Sequence, residues 1–177
     1  MVVIGIDLAI RHSGVVVLND KGEVLEHFTI KTKTGDSKRS VFKKYRDVMS
    51  ELIEKYWEEL EGVAIEGYSF GAIWNLKSIT QSSEVIGIVE DLFLMAVKVK
   101  FYEVAPTQLK KYLTGKGNTK KALTSLHVAK RYNIEWDKAS DELDALVLSH
   151  IALDKVQNKK DAVEYQQVTL DKIKEIN

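Results

Sequence analysis

Four carboxylates stand out in the 177-residue chain because of where they fall: Asp7, Glu66, Asp141 and Asp144. Asp7 closes the apolar run 2–6 and Glu66 closes the apolar run 62–65. A charge at the end of an apolar strand is costly to bury unless a cation or hydrogen-bond donors meet it. Asp7 can also cap the polar turn through Ser13 and Gly14, a role that Asp often takes. Asp141 and Asp144 are three residues apart and share one face of a helix, about one turn from its N-terminus. Acids in a first turn favour the helix dipole by roughly 0.3–1 kcal/mol and need no other purpose. Here the segment that follows is so apolar that the pair is set against protein and not in water. If the two strands are parallel neighbours and the helix packs across their ends, all four acids share one pocket. Buried carboxylates repel unless a cation intervenes. Two divalent ions about 3.5–4 Å apart, held by oxygen ligands, answer such clustering and serve in-line attack on a phosphodiester. Mg²⁺ suits hard carboxylates with open water positions, and Mn²⁺ substitutes readily.

The elements that would carry these acids follow from periodicity and punctuation. Residues 2–17 read as two strands around a polar turn, and Asn19-Asp20-Lys21-Gly22 is a hairpin turn leading to a third strand at 26–30, giving three consecutive antiparallel strands. Asp36-Ser37 offers an N-cap to a helix whose apolar positions, from Val41 and Tyr45 to Leu60, recur at helical spacing. The strand 62–66 follows, then a second long helix over 76–98 that is apolar on more than one face and so offers a dimer interface. A strand at 100–104 stops at Ala105-Pro106, and 113–118 is a glycine-punctuated loop. Asn118 or Thr119 caps a helix to Tyr132, and Ser140 caps the last main helix. One domain over 1–154 is expected, with 155–177 a polar tail whose weak amphipathic trace at Leu170, Ile173 and Ile176 allows a short helix.

With 26 basic and 26 acidic residues the formal net charge is zero, but the charge is sorted along the chain. Segments 31–44 and 110–121 are basic and 47–66 is mostly acidic, and such local fields matter more than the sum. The absence of cysteine excludes a disulfide framework and a thiolate metal site. No apolar stretch is long and uncharged enough for a membrane span, so a cytoplasmic location is expected.

The fragments GIDLAIRHSG, AIEGYSFG, APTQLKKYLTGKGNTKK and SDELDALVLSHIAL, in this order, resemble the RuvC-type Holliday junction resolvases of the RNase H-like nuclease superfamily, from about Val2 to Leu153. The resemblance implies an α/β, RNase H-like fold: a mixed five-stranded sheet, three antiparallel strands then parallel ones, with helices on both sides. It also implies a homodimer packed through the second helix, which makes paired cuts in a four-way DNA junction. The family's four acids fall on Asp7, Glu66, Asp141 and Asp144, as catalytic groups and as ligands of two Mg²⁺ ions. An aromatic residue that the family places after its second acid, near the junction centre, is represented by Tyr68 or Phe70, which bracket Ser69. The compact chain without cysteine also fits a phage or prophage source, and a branch-migration partner is left open.

Other residues carry less. Among the basic stretches, Lys110, Lys111, Lys116, Lys120 and Lys121 are interrupted by glycine and Tyr112, so ammonium groups and backbone amides could both reach phosphates. Lys120 and Lys121, opening a helix, are expected nearest the acids, although for any single lysine a solvated loop is the commoner explanation. His12 reads as a turn residue in solvent, His150 as structural, and Trp57, Trp74 and Trp136 as packing residues. The leading expectation is hydrolysis of branched DNA to 5′-phosphate and 3′-hydroxyl ends. The alternatives are a related nuclease on other branched DNA or hybrids, and a non-catalytic junction-binding module. An ATP-binding fragment of the actin and sugar-kinase type is disfavoured, because it needs a second phosphate loop and a second domain.

Overall fold

The computed structural model describes residues 1–67, 76–96, 98–132 and 140–176, and of residues 76–82, 121, 122 and 140 the backbone alone. The described residues begin with three strands, β1 (Val2–Asp7), β2 (His12–Asn19) and β3 (Val24–Lys31). Helix α1 (Lys38–Tyr56), strand β4 (Leu60–Glu66), helix α2 (Leu76–Leu94) and strand β5 (Lys100–Val104) follow. Helices α3 (Pro106–Thr114), α4 (Lys121–Tyr132), α5 (Ser140–Val156) and α6 (Glu164–Leu170) lead to a short strand, β6 (Glu175–Ile176). The strands make one mixed sheet in the order β3-β2-β1-β4-β5-β6. Pairing is antiparallel from β3 to β1, parallel from β1 through β4 to β5, and antiparallel again at β6.

The pleat of the sheet sorts its side chains to two cores, since successive residues face opposite sides. Ile4, Ile6, Val63, Ile65 and Phe101 meet Tyr45 and Met49 of α1 and Val89 and Phe93 of α2. Val3, Val16, Ala64, Tyr102 and Val104 meet Leu109 of α3, Val128 of α4, Leu146 and Leu148 of α5 and Leu170 of α6. Each such aliphatic or aromatic side chain contributes roughly 1.5–3 kcal/mol when fully buried. A sheet covered on both faces accounts for the near-continuous apolar runs of β1 and β4.

The expected three antiparallel strands and the parallel core are present, with four departures. The sheet has six strands and not five, because the last residues return to it: Ile176 pairs with Phe101 and Glu175 with Tyr102. Two residues are too few to show an alternating pattern in a sequence. The segment 155–177 is packed onto the domain: Leu170 and Ile173 are buried, and the Lys155 ammonium donates to the Leu170 carbonyl (3.1 Å) and the Ile173 carbonyl (2.9 Å). Leu60 begins β4 and does not end α1; the Glu59 N–H bonds the Tyr56 carbonyl at 2.9 Å and turns the chain into the strand. Helix α3, between β5 and the glycine loop, was not expected. Its signals were legible nonetheless, Pro106 in the first helical turn and Gly115 at the C-terminus with φ 77°.

Candidate active site

The ladders fix where two of the acids stand. In the parallel pairing Ile6 faces Ile65, so Asp7 and Glu66 end neighbouring strands side by side. Asp7 has the same pleat parity as Gly5, and Glu66 the same as Ala64, and both of those residues face α5. Asp7 and Glu66 are therefore at one end of the sheet and on its α5 face. Asp7 is 8% exposed, and Glu66 is half-buried.

Helix α5 reaches this end because two glycines let its backbone rest on the sheet. A Cβ at Gly14, the cross-strand partner of Asp7, would fall 2.1 Å from the Asp141 carbonyl oxygen. A Cβ at Gly5 would fall 2.1 Å from the Ala145 carbonyl oxygen and 2.2 Å from the Ser149 nitrogen. Any other residue at either place would lift the helix. The helix thus runs antiparallel to β1, with Asp141 level with Asp7, and Asp144 follows on the same face one turn on. Glu142 secures the start of the helix to β3: the Thr29 hydroxyl donates to its carboxylate at 2.5 Å, and the His27 ring nitrogen lies 2.7 Å from it. The N-terminal end of α5, the positive end of its dipole, faces the gathered acids.

The turn after Asp7 is braced from behind. The buried Ser13 hydroxyl accepts the Ala9 N–H at 2.9 Å, and the Ser13 hydroxyl and Tyr45 phenol, 2.6 Å apart, both reach the Ala9 carbonyl. Thr32 closes the other side with its hydroxyl on the Ile10 carbonyl (2.6 Å) and its N–H on the Arg11 carbonyl (2.9 Å). Burial pushes the Tyr45 phenol above its ordinary value, and the Asp7 carboxylate adds to the rise while the bond to Ser13 opposes it. Tyr45 therefore stays a neutral donor beside Asp7.

The structure brings the four predicted acids to one end of the sheet. Among the described residues no three His, Cys, Asp or Glu side chains are already drawn together as a metal cage. The donor set itself fits a hard divalent cation: all four are carboxylates, with no sulfur or imidazole among them. The other predicted residues fall on several elements. His12 is exposed at the start of β2. Lys110 and Lys111 are half-buried on α3, and Lys116 and Lys120 are exposed in the following loop, where Gly115 packs on Tyr165 of α6. That loop begins three residues after Tyr112, whose hydroxyl donates to Asp154 at 2.7 Å. The loop folds back along α3, since a Cβ at Gly117 would fall 3.2 Å from the Thr107 carbonyl oxygen, in the first turn after Val104, the ladder partner of Glu66. Tyr68, Phe70, Trp74, Trp136 and the side chain of Lys121 lie outside the described residues. Trp57 is 44% exposed, with the Lys98 ammonium 4.9 Å from the ring centroid, and so packs less than expected. His150 is structural as expected, stacked on Tyr132 with ring centroids 4.0 Å apart and held neutral by burial down to about 3. Sequence reasoning missed the Glu142 anchor and the Ser13–Tyr45 brace, because each depends on contacts between residues tens of positions apart.

The chain is similar to known proteins. The family model described as "Crossover junction endodeoxyribonuclease RuvC" matches residues 3–152. A protein of that name from Thermosipho melanesiensis is 27% identical over 151 residues, covering 84% of this chain and 94% of its own. Another of that name from Campylobacter lari is 28% identical over 153 residues, covering 84% and 93%. Among solved structures, Thermus thermophilus RuvC superposes with a TM-score of 0.74 at 23% identity, covering 99% of this chain and all of that one. The same protein in complex with a Holliday junction substrate gives 0.70 at 23% identity, over 84% and 90%. At these identities the structures speak for the fold alone.

Proposed function

Because the chain belongs to the RuvC family of crossover junction endodeoxyribonucleases, we propose that it resolves four-way DNA junctions with Asp7, Glu66, Asp141 and Asp144 as the catalytic, metal-holding acids. The observation that carries the assignment is the convergence of the parallel ladder and the glycine-seated helix, which gathers acids from positions 7, 66, 141 and 144 at one sheet end. The four would hold Mg²⁺, two ions per site, with Mn²⁺ able to replace it. A divalent ion bound there supplies the Lewis acidity that lowers the pKa of water and neutralises the departing oxygen of a phosphodiester. The chain's part is to hold its carboxylates where that charge is needed. Asp7 is set by its strand and the braced turn, and Asp141 and Asp144 by the seated and anchored helix. Precision of this kind counts, since small displacements of reacting groups cost orders of magnitude in rate.

The protein acts as a homodimer built on α2, which places two sites for two cuts. The support is the exposed side of that helix, where Gly87 is open and Leu94 and the following Met95 are 40% and 72% exposed. A two-fold enzyme on a two-fold junction is the simplest geometry for paired cleavage. The deciding experiment incubates the protein and Mg²⁺ with end-labelled four-way, three-way, flap and linear duplex DNA. Paired nicks in the four-way substrate are expected, and equal cutting of the linear duplex would overturn the reading.

A further inference from the structure

The segment 31–46 holds seven cations, Lys31, Lys33, Lys38, Arg39, Lys43, Lys44 and Arg46, and every one is exposed. The lysines of 110–121 compare poorly: Lys110 and Lys111 are half-buried, which leaves Lys116 and Lys120 exposed among the described side chains. The three acids bonded to the first group are fewer than its seven cations. Asp47 pairs with Lys43 at 2.6 Å, Glu84 pairs with Lys38, and Asp36 accepts the Lys33 backbone N–H at 2.7 Å.

The segment is also fastened to the acid end of the sheet. Lys31 pairs with His12 at the start of β2, and the Lys44 ammonium donates to the Lys31 carbonyl at 2.6 Å. Tyr45 of α1 bonds Ala9, two residues beyond Asp7, and the Arg11 guanidinium in the same turn donates to Thr34. Along α1, Arg39, Lys43 and Arg46 fall at i, i+4 and i+7, one row on the side away from the core. With Lys38 and Phe42 they line a shallow groove of about 610 Å³. The row rises about 10 Å, a length over which one strand of B-DNA presents about three phosphates.

We propose that the row Arg39, Lys43 and Arg46, continued by Lys31 and Lys33, is a phosphate track that holds a duplex arm of the junction beside the acid end. The proposal rests on the junction-cutting reading above and adds the surface by which the substrate is held. Phosphate contacts of this kind set register without reading sequence.

The test is a binding titration of an intact labelled four-way junction, in Ca²⁺, over a salt series. It compares the wild-type protein, the triple variant Arg39→Gln/Lys43→Gln/Arg46→Gln and the double variant Lys116→Gln/Lys120→Gln. Neutralising three cations that each touch a phosphate should flatten the slope of log affinity against log salt by about 2.7, at roughly 0.9 per phosphate. Circular dichroism melting within a few degrees of wild type excludes misfolding, which these exposed positions do not invite. A wild-type slope in the triple variant, or a flattened slope in the double variant alone, would overturn the track. Loss of the junction-cutting reading would show elsewhere, as wild-type protein that cuts linear duplex and junction alike.

Discussion

Among the described residues two carboxylates are buried, Asp7 and Asp154, and they stand by opposite ends of α5. Asp154 is met by its surroundings. The Tyr112 hydroxyl donates to it at 2.7 Å and the Lys159 ammonium lies 3.2 Å away, so a charge that is 5% exposed has a donor and a cation of its own. Asp7 ends β1 beside Glu66 on the next strand, with Asp141 and Asp144 on the helix above. One end of the helix is a closed polar contact that holds the fold. The other end carries the four acids of the proposed site.

The largest test of this contrast is catalytic. Asp7→Asn and Asp141→Asn should each lower junction cleavage in Mg²⁺ by more than about 100-fold, since even the outer partners of metal ligands cost 10–100-fold. Gel-shift affinity for the junction in Ca²⁺ should change far less. Asp154→Ala should cleave at a near wild-type rate, and a silent Asp154→Ala enzyme of normal stability would break the contrast.

Gly14→Ala should act on both properties. Its methyl group meets the Asp141 carbonyl, and overpacking of this kind costs about 1–3 kcal/mol or more. Thermal melting should fall and cleavage with it, because the helix that carries two acids has to move. Wild-type values of both would mean that the helix is not seated on the glycine.

Asp154→Ala should cost about 1–3 kcal/mol by urea denaturation, the price of leaving the buried Tyr112 hydroxyl without its acceptor. The ion pair adds little to that figure, because Lys159 is 40% exposed and solvent screens it. An unchanged midpoint would mean that Asp154 does not hold the fold.

The smallest effect is one of pH. His150, packed with Tyr132 near Asp154, is held neutral in the fold down to about 3, chiefly by burial, with Arg131 and Lys159 adding to the effect. The unfolded chain takes up that proton near 6.5, so the stability is complete above 6.5 and falls as pH drops toward 3, by at most about 1.4 kcal/mol per unit. His150→Phe keeps a ring against Tyr132 and should show a smaller loss of melting temperature between pH 7 and pH 5 than the wild-type protein. Parallel curves would place the acid sensitivity elsewhere.

What could be read from the sequence divides along the same line. Asp7 and Glu66 were legible because an apolar run that ends on an acid is a local pattern, and Asp141 and Asp144 because helical spacing is local too. That Gly5 and Gly14 seat α5 was not, since a glycine in a strand shows no sign of what lies above it. Glu142 reads as a first-turn acid until Thr29 and His27, more than a hundred residues earlier, are placed under it. The docking of the tail escaped for a similar reason: Leu170 and Ile173 leave only a weak trace in a polar stretch, and the core they share with Leu109, Tyr112 and Leu113 of α3 is far away along the chain. Helix α3 was the one avoidable miss, with Pro106 and Gly115 marking both of its ends.

The seating of α5 on Gly5 and Gly14 also sets a timetable. Asp7 leaves the ribosome 134 residues before Asp141, and the face of β1, β2 and β4 with Val3, Val16, Leu18 and Ala64 has to wait for Leu146, Leu148 and Ile151 to cover it. Contacts so distant along the chain form slowly, and an uncovered apolar sheet face is prone to aggregation in the meantime. The proposed site is therefore among the last parts of the molecule to exist, since Asp141 and Asp144 lie in the final third of the chain. Pulse-labelled amide exchange during refolding should find the β1 and β2 amides protected together with those of α5; full protection of the strands well before the helix would show that the sheet matures without it.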